Sequence, residues 1–90
     1  MGYQTAIGIA ESDATLEQKL SWHFSSNCYP PVPALMIPFA VEAINLANCG
    51  EWNAVIECPE GVSYRGETEV RILDVIDGLF LEAFVSGEEA

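Results

Sequence analysis

Apolar residues return at helical spacing three times along the chain. Leu16, Leu20 and Phe24 form the first series. Thr15 stands before it with Gln18 three positions on, the pattern of a capping box, so a helix is predicted from Leu16 to Phe24. Ser25, Ser26 and Asn27 should end it, and Tyr29-Pro30-Pro31-Val32-Pro33 should run on as an extended, polyproline-like connection. The second series is Phe39, Ala40, Ala43, Ile44 and Ala47, with Val41 and Leu46 off the stripe, so this helix is apolar nearly all round and needs burying. Pro38 lacks an N–H and is tolerated only near a first turn. The helix therefore starts near Ile37, or a turn over Ala34 to Ile37 leads into it with a bend. Gly50 suits the left-handed position that ends it, and the small alanines invite close approach by another element.

Ala54 to Cys58 reads as a strand, Pro59-Glu60-Gly61 as a turn, and Val62 to Tyr64 as the returning partner. A lone hairpin is marginal in water, so it should pack on the helices or take the N-terminal segment as a third strand. Thr68 is placed to cap a third helix carrying Val70, Leu73, Ile76 and Phe80. Gly78 weakens its interior and leaves Leu79 to Val85 as a last turn or an extended tail. The expected architecture is α+β, three helices packed around a short antiparallel β-hairpin. It forms a single compact domain over residues 12–85, with an N-terminal arm over 1–11 able to serve as an edge strand and a frayed tail over 86–90.

Composition narrows the partners. Fourteen acidic residues against three basic ones give a formal charge of −11, which opposes direct binding to nucleic acid or an anionic membrane. The start of the chain carries no basic residue before its apolar patch and does not read as a signal peptide. Residues 20–41 are uncharged, but Pro30, Pro31, Pro33 and Pro38 within them argue against a membrane span. An odd set of cysteines, Cys28, Cys49 and Cys58, fits a reducing, cytoplasmic setting.

No residue pattern specifies a reaction. His23 and Cys28 have four residues between them and Cys49 and Cys58 have eight, so no close ligand pair for zinc exists and no metal or cofactor is expected. A Cys28–His23 nucleophile needs both to meet in the fold with a third group orienting the imidazole. His23 is more simply a helix-end residue near the negative end of the dipole. The carboxylate pairs, such as Asp74 with Asp77, arise from composition and read as a solvated face. Gly50, Gly61, Gly66 and Gly78 stand singly, without a phosphate-binding pattern. Arg65 and Arg71 are expected to relieve acidic crowding. Trp22 and Trp52 read first as core lids, and second as partner-binding anchors.

The run Ser21-Trp22-His23-Phe24-Ser25-Ser26-Asn27-Cys28-Tyr29-Pro30-Pro31-Val32-Pro33, followed by Met36, Ala43-Ile44, Asn48, Gly50 and Trp52, and later Pro59-Glu60-Gly61-Val62-Ser63-Tyr64-Arg65-Gly66, resembles a known family. It is similar to small acidic proteins of unknown function encoded by phages of mycobacteria and related actinobacteria, over about residues 16 to 84. The resemblance implies no catalytic residue. It implies a setting, the cytoplasm of an infected bacterial host, and a host or phage protein as partner. The expectation is thus a non-enzymatic phage accessory protein that binds another protein. One rival is an acidic nucleic-acid mimic that blocks a DNA-binding protein, which needs carboxylates in rows at phosphate-like spacing; another is a small Cys/His-dependent enzyme. The partner-binding candidates are Trp22, Trp52, Leu79, Phe80 and Phe84. The apolar Leu79-Phe80-Leu81 with Phe84 and Val85 further suggests a homodimer with Leu79, Phe80 and Phe84 at its seam.

Overall fold

The computed structural model describes residues 6–11, 13–28 and 31–85. The expected frayed tail and Tyr29-Pro30 of the connection lie outside them. In chain order the elements are α1 (Ala6–Ala10), α2 (Leu16–Ser26), a 3-10 turn (Ala34–Met36), α3 (Ile37–Asn48), β1 (Val55–Glu57), β2 (Glu69–Arg71), α4 (Ile72–Gly78) and a second 3-10 turn (Glu82–Phe84). This is an α+β domain, as its patterning indicates: helices around one antiparallel two-stranded sheet. Among the described residues no helix is long and apolar enough to cross a membrane.

α2 begins as its cap dictates. Thr15 is extended and its hydroxyl accepts the Gln18 N–H at 3.2 Å. The helix runs through Ser25 and Ser26 and stops only at Asn27, two residues beyond the expected end. Serines are poor stops where no competing hydrogen bond draws the backbone away; here the Ser25 hydroxyl turns back to the Trp22 carbonyl at 3.1 Å within the helix. Before α3, Met36 N–H closes the 3-10 turn on Pro33 O at 3.0 Å, and Pro38 falls in the first turn, where its missing N–H costs nothing. The expected stripe is the buried one: Phe39, Ala40, Ala43, Ile44 and Ala47 all face the core. α3 ends in a Schellman motif, with Gly50 N–H on Ala47 O, Glu51 N–H on Leu46 O and Gly50 at φ +83°.

Three expectations are corrected. Of the arm expected over residues 1–11, the described part is helical over Ala6–Ala10 rather than an edge strand. Ile9 is 1% exposed, α1 packs on α2 and on the C-terminal 3-10 turn, and Lys19 Nζ donates to the Ala10 carbonyl at 2.7 Å, satisfying the helix end.

The strand partner differs too. β1 pairs with β2, in the register Val55↔Arg71, Ile56↔Val70 and Glu57↔Glu69, and not with Val62–Tyr64. Ile56 and Val70 are the buried members, so this register puts one apolar pair against the helices. The intervening loop folds on itself twice. Val62 N–H returns to Pro59 O at 3.0 Å, and Tyr64 and Glu67 exchange backbone hydrogen bonds around Arg65 and Gly66, both at positive φ as in a type I′ turn.

Thirdly, the last long helix is shorter than expected and differently faced. Thr68 caps nothing; its carbonyl accepts Cys58 N–H at 2.8 Å and extends the ladder. α4 buries Ile72, Val75 and Ile76 and leaves Leu73 exposed. It packs against α3.

Candidate functional site

His23 organises the seam between α2 and the C-terminal segment. It sits in the last turn of α2, the helix-end position expected of it, but it is fully buried there. Its Nε2 lies 2.9 Å from the Leu79 carbonyl and its Nδ1 lies 3.1 Å from the Asn27 amide nitrogen. A carbonyl only accepts, so Nε2–H donates; the Asn27 NH₂ donates in turn to Nδ1. Both ring nitrogens are thus engaged in hydrogen bonds. The Phe84 ring meets it edge-on at 5.2 Å, and Phe24 lies at 5.9 Å. Neither nitrogen is left for Cys28. Burial pushes the Cys28 thiol up, away from the thiolate that a nucleophile requires. The structure does not bring Cys28 and His23 together as a dyad. The three thiols are free, and among the described residues no group of three or more His, Cys, Asp or Glu could hold a metal ion.

The five partner-binding candidates separate. Leu79 and Phe84 are buried within the chain; the Leu79 carbonyl is bonded to His23 and the Phe84 ring packs edge-on against the same imidazole. Of the trio expected at a homodimer seam, Phe80 is the exposed one, at 56%. Trp22 lies on the outer side of α2, 40% exposed, rather than in the core. Trp52 packs against the core from the turn after α3, with its indole N–H buried and lacking a hydrogen-bond partner among the described residues.

Beside Leu79 the surface opens into a groove of about 330 Å³. It is lined by Pro31, Val32, Pro33, Leu35 and Met36 from one stretch, by Val62, Ser63 and Tyr64 from a second, and by Leu79 itself. The walls are built by the segments that patterning resolves least. Pro33 is extended (φ −63°, ψ 150°) and hands the chain to the 3-10 turn, which leaves Leu35 51% exposed. Opposite, Tyr64 is fixed on three sides: its ring lies 6.1 Å from Phe39, Arg65 stands over it at 5.4 Å, and its hydroxyl donates to Asp74 O at 3.4 Å. Burial raises the Tyr64 pKa, Arg65 pulls it back, and Asp74, Asp77 and Cys28 add to the rise. Arg65 thus serves an aromatic face, not an acidic cluster as expected.

A larger hollow, about 480 Å³, runs along the outside of α3 past Glu17, Val41, Glu42 and Leu46. Its walls are little more than one helix face and Glu17. The smaller groove is lined from three separate stretches of chain, includes Leu79 and is the better-formed site. Sequence patterning missed Leu35, Met36, Val62 and Tyr64. The one signal for them was an apolar Leu35 among prolines, outside any helical stripe.

No family model, no curated protein and no solved structure matches the chain significantly.

Proposed function

We propose that the protein is a non-enzymatic accessory protein that acts by binding another protein in the cytoplasm of a phage-infected bacterium. The observation that carries this reading is the groove between Leu35 and Tyr64, apolar, open to solvent and assembled on a rigid aromatic support. Such a groove accepts apolar side chains of a partner and removes them from water, at about 25 cal/mol per Å² of apolar surface covered. The resemblance to small acidic phage proteins supplies the setting. The non-catalytic part is supported by His23, with both nitrogens engaged, and by Cys28, whose thiol is kept protonated by burial. The charge of −11 favours a protein partner over nucleic acid or anionic lipid.

The test is affinity capture from the infected host with the parent chain and with Leu35→Asp, an exposed substitution that should leave the fold intact. The expected result is a protein retained by the parent and lost by the variant. Once purified, that protein should bind the variant at least roughly tenfold more weakly, because a carboxylate then sits in an apolar contact. A partner bound equally by both chains would remove the groove from the function.

A further inference from the structure

α3 and α4 end in the same hydrogen-bonded motif, yet different residues occupy its left-handed position. After α3 that residue is Gly50, at φ +83°. After α4, Phe80 N–H bonds Asp77 O at 3.3 Å and Leu81 N–H bonds Ile76 O at 2.8 Å, so Phe80 takes the place of the glycine, at φ +58°. A bulky L-residue is strained there, and glycine is not. With Phe80 more than half exposed, little burial offsets that strain. Phe80 is 56% exposed, lies outside the core cluster, and makes no ring contact with an aromatic among the described residues. Arg65, the other non-glycine residue at positive φ among the described residues, differs: it stands over the Tyr64 ring. The residue after Phe80, Leu81, is fully buried and anchors the turn, so the Phe80 side chain is held outward on a fixed mount.

We propose that Phe80 is a partner-binding anchor, a ring presented to a protein whose pocket is apolar inside and cationic at its rim. This rests on the protein-binding reading above and names the partner's chemistry. The apolar interior follows from the exposed phenyl ring. The cationic rim follows from Asp77, whose carbonyl accepts the Phe80 N–H, and from Glu82; both are exposed, on a chain of net charge −11. That charge also sets two copies of this chain against each other, which disfavours a second copy as the occupant.

Phe80→Gly tests the inference, because glycine relieves the backbone. The variant should melt at or above the parent temperature; a clear fall would make Phe80 a structural residue and overturn the anchor. The binding probe is β-cyclodextrin carrying amino groups at its rim, an apolar cavity of phenyl size inside a cationic ring, with carboxylated β-cyclodextrin as control. The parent should bind the amino form roughly tenfold more tightly than Phe80→Gly does, the scale set by enclosing one phenyl ring. It should also prefer the amino form to the carboxylated one, with a preference that shrinks in added salt. Equal binding by parent and variant, or by the two hosts, overturns the proposal. Sedimentation showing a parent dimer that Phe80→Gly abolishes would assign the ring to a second copy and overturn the cationic pocket. A captured partner that loses Leu35→Asp yet binds Phe80→Gly at full strength would keep the groove and sink the anchor.

Discussion

Gly78 ends α4 at the point where the loop folds back onto it, and replacing it with alanine sets two effects against each other. In a helix interior the substitution stabilises by up to about 1 kcal/mol, and by less at a last residue. Against that, the added methyl would collide with the Tyr64 hydroxyl, and would stand 3.0 Å from the Arg65 guanidinium and 3.2 Å from Tyr64 Cζ. Tyr64 cannot swing away cheaply. Its ring packs on Phe39, worth ~0.5–1.5 kcal/mol as an aromatic pair. Arg65 over its face adds ~0.5–1 kcal/mol. The hydroxyl bond to Asp74 O is long at 3.4 Å and adds little. Losing these contacts outweighs the helix gain, so Gly78→Ala should destabilise by about 0.5–2 kcal/mol, a fall in melting temperature of several degrees for a domain of this size. Urea unfolding followed by tryptophan fluorescence measures it. The diagnostic step is the double-mutant cycle with Tyr64→Phe, which deletes the colliding oxygen. In that background Gly78→Ala should become neutral or stabilising, a coupling of about 1–2 kcal/mol. A Gly78→Ala variant more stable than the parent, or costs that simply add, would refute the close approach of loop and helix.

Three further outcomes follow from the packing and charge. Ala43→Leu should cost ~1–3 kcal/mol by overfilling the fully buried face of α3, and a variant melting within a degree or two of the parent would show that face to be loosely packed. Glu69→Lys should stabilise by ~0.2–1 kcal/mol, because Glu57 and Glu69 oppose each other directly in the ladder; the gain should shrink with salt, and its absence at low salt would contradict the register. Stability should fall in alkali. Burial raises the folded-state pKa of Cys28, so the unfolded chain gives up that proton first. Its contribution is therefore whole below the unfolded thiol value of about 8.5 and declines as pH rises through it toward the folded value. Tyr64, also raised, adds a second decline from about pH 10. Cys28→Ala should flatten the first decline in urea titrations at stepped pH, and an unchanged slope would show that the thiol does not carry it.

Where local chemistry and periodicity agree, the chain's own order of residues is enough to place the structure. Thr15 caps α2, Pro38 sits in the first turn of α3, Gly50 takes the left-handed position, and the Phe39-to-Ala47 stripe is the buried one, because each depends on neighbours within four or five positions. The strand partner depends on more. Val62–Tyr64 and Glu69–Arg71 both offer an apolar residue at strand spacing, and only burial of Ile56 against α3 selects Val70 as its opposite. Val70 also fits the helical series that follows, so the change from a period of two to one of 3.6 at Arg71 is invisible until the sheet claims it. Ile9, apolar in a segment with no cap, becomes core only because α2 and the Glu82–Phe84 turn lie beside it.

The site divides in the same way. Leu79 and Phe80 stand out in sequence as apolar residues near a chain end, but only the fold buries the first and exposes the second, in a turn whose Leu79 carbonyl is bonded to His23, 56 positions earlier. The groove brings Leu35 and Val62 together across 27 positions, and no local pattern encodes that meeting. Helical faces are written in residues a turn apart; which of them meet water is settled by what the rest of the chain lays over them.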